Sequence, residues 1–139
     1  MEWMLMPLKR YADFSGRSRR MEYWMFQVFN VLVLLAIGLI FGLLGYATGS
    51  FSSSNEPPVF LLIMGGILLL AWLAVFLVPS IAVTVRRLHD RDMSGWWYLG
   101  AIVVGMIPLI GYVVSIGFTV LMFLPGTPGP NRFGADPKD

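Results

Sequence analysis

The sequence predicts an all-α integral membrane protein, built as a small bundle of three transmembrane helices. Hydrophobic residues make up 57% of the 139-residue chain and charged residues only 13%. The apolar residues are gathered into three long runs without charges. A water-soluble protein of this size has too little interior to bury so much apolar surface. The chain is also short enough for one domain, so we predict a single membrane domain over residues 1–139.

The three predicted spans cover residues 23–47, 59–85 and 96–124. They contain 25, 27 and 29 residues, and a helix needs about 20 to cross the hydrocarbon core of a bilayer. A polar N-terminal segment, 1–22, precedes the first span, which is untypical of a secretory signal, so we expect that span to remain as an anchor. A tail rich in Pro and Gly, 125–139, follows the third span.

The third run has two possible arrangements. Pro108 lies near its centre, with Gly105 and Gly111 on either side. Two complete crossings would need about 40 residues plus a turn, so we predict one helix kinked at Pro108. A shallow re-entrant hairpin is the alternative. The kinked helix would place the tail on the far side of the membrane, whereas the hairpin would return it to the side of the other polar segments.

The distribution of basic residues predicts the orientation. Eight of the ten bases precede the first span or lie between the second and third, and the connection 48–58 has none. Short loops that carry Lys and Arg stay in the cytoplasm. The sequence therefore predicts a multi-pass membrane protein with a cytoplasmic N-terminus.

Two polar clusters flank these spans: F-S-G-R-S-R-R-M-E-Y-W at Phe14–Trp24 and R-R-L-H-D-R-D-M-S-G-W-W at Arg86–Trp97. Guanidinium groups suit phosphate because they bind it with two parallel hydrogen bonds. One hypothesis is therefore a cytoplasmic site for anionic lipid headgroups or for another membrane protein. Its candidate residues are Arg17, Arg19, Arg20, Arg86, Arg87 and Arg91.

A second interpretation makes the same clusters structural. The predicted network of ion pairs and helix caps consists of Glu22, His89, Asp90, Asp92 and Ser94, with Asp92 or Ser94 capping a helix that begins near Trp96. Amphipathic aromatic side chains prefer the headgroup level of a bilayer. The predicted interface anchors are Tyr23, Trp24, Trp96 and Trp97.

The residues favour a binding or scaffold module over an enzyme. His89, Asp90 and Asp92 have no evident nucleophilic partner, so we predict no catalytic residues. The chain has no cysteine and one histidine, and we predict no metal, no cofactor and no nucleic acid as partner. The lipid bilayer is the expected partner, and a homo-oligomer is compatible with the sequence.

Two alternative functions stay open. An accessory subunit of a transporter or channel is the first, although spans without Asp, Glu, Lys, Arg or His argue against an independent pump. An interfacial lipid-processing enzyme is the second, and it would require His89 or its neighbouring aspartates for turnover.

The tail contains a third motif, P-G-T-P-G-P-N-R-F-G-A-D-P at Pro125–Pro137. With these three motifs in order, nearly the whole chain resembles the domain-of-unknown-function 805 family of YhaH-like bacterial inner-membrane proteins. The resemblance implies residence in the inner membrane and no assigned biochemical activity. It also implies that the tail, with Asn131 and Arg132, is an ordered loop.

Overall fold

A computed structural model describes residues 2–49 and 59–137 and contains five helices in these ranges. They are α1 (Glu2–Lys9), α2 (Arg20–Ala47), α3 (Val59–His89), α4 (Trp96–Gly105) and α5 (Ile110–Phe123). The described residues include one isolated β-bridge, between Asn131 and Gly134 in the tail. Most of the predicted external connection, residues 50–58, lies outside the described residues.

Helices α2 and α3 form an antiparallel pair. Glu22 at the start of α2 meets Arg86 near the end of α3, while Phe41 packs beside Gly65 towards the opposite ends. Both helices are long and apolar enough to cross a membrane. Most of their apolar side chains are exposed, as is typical of surfaces that contact lipid.

The core lies in the half of this pair that carries the charges. Phe26, Phe76 and Val83 are its buried centre. Nearby, the indole N–H of Trp72 donates to the Asn30 side-chain oxygen at 2.9 Å. Hydrogen bonds of this kind join helices where apolar burial provides no drive.

Helix α1 packs against the same half of the pair. Pro7 is fully buried, and Leu8 packs against the core around Phe26. The Tyr11 hydroxyl donates a hydrogen bond to the Ala74 carbonyl of α3. The N-terminal segment is thus part of the folded body.

The third apolar run folds back on itself, so the prediction of one kinked helix over 96–124 is wrong. Helices α4 and α5 are antiparallel: the Tyr98 and Phe118 rings lie 5.7 Å apart. At the turn, Gly111 packs on the Gly105 carbonyl so closely that a Cβ would clash. The described residues therefore contain two long helices and a short hairpin, the arrangement of the re-entrant alternative, and the three-span count is not confirmed.

The break has a local cause at Pro108. Proline provides no N–H for the helix ladder and clashes with the carbonyl four residues earlier. Leu109 then adopts a φ of 67°, which reverses the chain at a conformational cost for a side chain with a Cβ. The two helices have 10 and 14 residues, or about 15 and 21 Å, which is shorter than the roughly 30 Å hydrocarbon core.

Candidate functional site

The polar end of the helix pair is organised around Asp90, which directly follows α3. Its carboxylate is fully buried and accepts hydrogen bonds from Arg17 Nε at 3.0 Å and from Arg87 Nη1. Arg17 Nη2 also lies 2.9 Å from the same carboxylate. Arg87 comes from the preceding turn of α3, where i,i+3 neighbours share a face. We call Arg17, Arg87 and Asp90 the buried triad.

The tail closes over the buried triad through backbone groups. Arg17 donates to the carbonyls of Thr127 and Gly129, both at 2.6 Å. The Thr127 N–H donates in turn to the Asp90 carbonyl at 2.8 Å. Gly126 packs directly on the Asp90 carboxylate, so that any Cβ there would overlap it. The tail is therefore an ordered part of the polar end.

His89 provides a second attachment for the tail. Its ring stacks on Phe133, with ring centroids 3.9 Å apart. Its Nδ1 lies 3.1 Å from the Gly16 carbonyl, and its own carbonyl accepts from Asn131 Nδ2 at 2.9 Å. His89 thus joins the N-terminal cluster to the tail.

The ion pair between Arg132 and Asp92, at 3.0 Å, lies at the surface, and both side chains are about half exposed or more, at 61% and 47%. A pair this exposed to solvent contributes at most about 1 kcal/mol. It fastens the tail more weakly than the buried triad does.

Three arginines converge on the C-terminal end of α5. The last carbonyls of a helix have no partners within it and carry partial negative charge. Here guanidinium groups bind them: Arg20 donates to Phe123 at 3.3 Å, Arg87 to Met122 at 3.3 Å and to Leu124, and Arg91 to Pro125 at 2.8 Å. Arg87 is fully buried, whereas Arg20 is exposed and Arg91 half-buried. We call Arg20 and Arg91 the arginine rim.

Arg86 forms a separate buried pair with Glu22, at 3.1 Å from Nη2 to Oε1. The N–H groups of Arg86 are not directed at an acceptor: among the described residues, none of its side-chain nitrogens has a hydrogen-bond partner. The backbone carbonyl of Arg86 does have a hydrogen-bond partner, since it accepts from the Ser18 N–H at 3.1 Å. The pair holds the start of α2 against the end of α3.

The structure therefore divides the six predicted site arginines. Arg17, Arg86 and Arg87 are buried and bound to internal partners, so they do not face an external anion. Arg19 is half-buried, and its Nε donates to the Pro137 carbonyl. Only the arginine rim combines solvent access with a shared location.

The predicted side-chain cap of the last apolar run is wrong. Helix α4 has Gly95 at its N-cap and no side-chain cap. The Trp97 N–H instead bonds to the backbone carbonyl of Ser94 at 3.2 Å, and the Asp92 carboxylate faces Arg132. A tight turn of backbone groups thus replaces the expected cap.

The four predicted anchors also divide into two pairs. Trp24 stacks on Phe123 with ring centroids 4.0 Å apart, and Tyr23 packs against the core. Trp96 and Trp97 at the start of α4 are exposed. Of the four, Trp96 and Trp97 are the exposed pair, whereas Tyr23 and Trp24 are partly buried.

The acids and the histidine of the segment Arg86–Trp97 contact groups other than one another in the described part of the chain. The carboxylates of Asp90 and Asp92 point to arginines, and His89 contacts a carbonyl and Phe133. Residues 2–49 and 59–137 also contain no group of three or more His, Cys, Asp or Glu that could hold a metal ion. The acids at this end of the described chain are therefore paired with arginines.

Reasoning from the sequence missed the role of the tail backbone. The Thr127 and Gly129 carbonyls accept hydrogen bonds from the Arg17 guanidinium group. Gly126 has no Cβ and so leaves space for the Asp90 carboxylate. A run of glycines and prolines leaves carbonyls without regular partners, which was the available signal. The position of these carbonyls along the chain gave no indication of which arginine would donate to them.

Comparisons with known proteins identify the family of the chain. The model of the family described as "Protein of unknown function (DUF805)" matches residues 11–135. Inner membrane protein YhaH of Escherichia coli K12 is 39% identical over 138 residues, which cover 99% of this chain and 98% of the relative. Inner membrane protein YhaI of the same strain is 40% identical, with 99% and 97% covered. No solved structure matches. The chain therefore belongs to the DUF805 family, whose matching members in E. coli include inner membrane proteins.

Proposed function

We propose that this protein is a non-enzymatic, multi-pass module of the inner membrane that binds anionic phospholipid at its cytoplasmic face. One observation carries the proposal: the arginine rim lies at the solvent-accessible edge of an otherwise internally paired polar cluster. Arg20 and Arg91 bind carbonyls of the α5 end. Neither has a carboxylate within ion-pair distance among the described residues.

The rim keeps donors available for a ligand. A guanidinium group has five N–H donors, and Arg20 and Arg91 each use one of them on the α5 end. The remaining N–H groups suit the oxygens of a phosphate, with which arginine forms short, charge-assisted hydrogen bonds. Binding at this position needs no rearrangement of the buried triad.

The surroundings of the rim support a lipid as the source of that phosphate. Exposed Met21 directly follows Arg20 in α2, and exposed Trp97 lies at the start of α4. Tryptophan is enriched at the headgroup level of bilayers. Basic side chains at the cytoplasmic surface attract anionic lipids, and the positive-inside rule assigns this end to the cytoplasm.

The topology in this proposal has two crossings and a hairpin that does not cross. Helix α4 begins beside the polar cluster, and α5 ends against the arginines of the same cluster. Both ends of the hairpin therefore lie on one side, and both termini belong in the cytoplasm. A reporter active only in the periplasm, fused to the C-terminus, should stay silent. Activity there would contradict the topology.

The lipid-binding proposal is tested with the double variant Arg20→Gln/Arg91→Gln. The matched control, Lys9→Gln/Arg132→Gln, removes the same charge from two exposed positions, and Arg132 donates to Asp92 and not to the α5 end. Native mass spectrometry of the full chain measures retained phosphatidylglycerol against phosphatidylcholine. We expect the rim variant to lose about tenfold in this preference and the control to keep it. An equal preference in both variants would refute the proposal.

A further inference from the structure

A groove of about 430 Å³ runs between α4 and α5. Its lining is apolar and includes Trp97 and Val104 of α4 and Leu121 of α5. Gly100 and Gly117 open its middle, because nothing lies within 4 Å of the position where either would carry a Cβ. The groove is therefore a feature of the hairpin itself, made by missing side chains.

One end of the groove opens beside the arginine rim. Met93 lines this end and follows Arg91 by two residues. Leu121 lines it from the other side, immediately before the α5 carbonyls that the arginines bind. A molecule in the groove would thus have an apolar part between the helices and a negatively charged part at the arginines.

The lengths of α4 and α5 indicate what kind of apolar group would fit in the groove. Helices of 10 and 14 residues extend about 15 and 21 Å, or roughly half to two-thirds of a hydrocarbon core about 30 Å thick. This is the depth of one leaflet, which one acyl chain also spans. The turn at 106–109 closes the hairpin at that depth.

We propose that this groove holds one acyl chain of the anionic phospholipid whose phosphate the arginine rim binds. The inference rests on the proposed function, since the rim selects the headgroup. The lipid would then be bound at two places. Its phosphate would contact Arg20 and Arg91, and its acyl chain would lie between α4 and α5. The hairpin serves as the lipid-binding element, and the long helices serve as its support.

The test uses phosphatidylglycerol with a photoreactive group in one acyl chain, incorporated into phosphatidylcholine vesicles that contain the full chain. The same photoreactive chain on phosphatidylcholine provides the headgroup comparison. Gly117→Leu fills the groove. Gly38→Leu, in α2, is its matched control, because that glycine also has open space around its Cβ position. Adducts are mapped by mass spectrometry.

The expected result is that groove residues give about five times more adduct with the phosphatidylglycerol probe than with the phosphatidylcholine probe. Gly117→Leu should remove this excess and Gly38→Leu should retain it. Adducts spread evenly along α2 and α3, with the lipid preference of the whole protein intact, would overturn the groove and leave the rim. Groove adducts without any headgroup preference would overturn the rim and, with it, this inference.

Discussion

Replacing Asp90 by Asn removes the charge at the centre of the buried triad and keeps the shape of the side chain. The carboxylate faces two fully buried guanidinium groups, and one charge-assisted hydrogen bond contributes about 1.5–3 kcal/mol. Asn retains one acceptor oxygen but directs its amide N–H groups at an arginine. Breaking a buried ion pair from one side costs about 3–5 kcal/mol. We therefore expect Asp90→Asn to lower the free energy of unfolding by about 4 kcal/mol, a large share of the roughly 5–15 kcal/mol of a typical domain.

The assay for this prediction combines unfolding in mixed micelles with hydrogen–deuterium exchange of the Thr127 amide, which donates to the Asp90 carbonyl. Asp92→Asn is the matched control, because Asp92 is also paired with an arginine but is 47% exposed, and we expect a loss of no more than about 1 kcal/mol. A loss below about 1 kcal/mol for Asp90→Asn, with the Thr127 amide still protected, would refute the assignment of the triad as the main attachment of the tail.

Three further outcomes follow from single contacts. Gly126→Ala places a Cβ inside the Asp90 carboxylate and should release the tail, which would be seen as loss of amide protection over 125–137. Gly129→Asn is the control, because Gly129 has a left-handed φ of 71° that Asn tolerates, and it should preserve this amide protection. Gly111→Ala should open the α4–α5 turn, seen as a longer spin-label distance across the hairpin; an unchanged distance would contradict the close packing. Hydrogen bonds from Ser15 and then Arg10 hold the pKa of Asp13 well below its usual range. The carboxylate therefore stabilises the fold above the pH where an ordinary aspartate titrates and loses this effect only as the pH falls through the lowered pKa. Amide protection over 10–15 should persist down to about pH 4 and be weaker at neutral pH in Asp13→Asn.

The long helices were accessible from the sequence because length and composition determine them locally. The hairpin was harder, because a run of 29 apolar residues fits a kinked crossing as well as two half-crossings. Pro108 with its neighbouring glycines marked the break. What decides the arrangement is the close packing of Gly111 on Gly105, which is a contact between two helices and not a property of either one.

The candidate site shows the same division. The Arg87–Asp90 pair follows from helix periodicity, since i,i+3 residues share a face. The Arg17–Asp90 contact joins residues 73 positions apart, and composition says nothing about which of several arginines will face a given acid. Three of the six arginines of the predicted anion site, Arg17, Arg86 and Arg87, are buried. The sequence did not indicate this, because burial and pairing are tertiary properties.

The buried triad also imposes an order on assembly. Arg17 and Asp90 are synthesised well before Thr127 and Gly129, whose carbonyls complete the bonding of Arg17. Until the tail emerges from the ribosome, the long helices can insert and pair, but Arg17 lacks these acceptors. A chain that stops before Pro125 would keep its hydrophobic anchors and its Arg17–Asp90 pair, but the Arg17 N–H groups that face Thr127 and Gly129 would have no acceptors there.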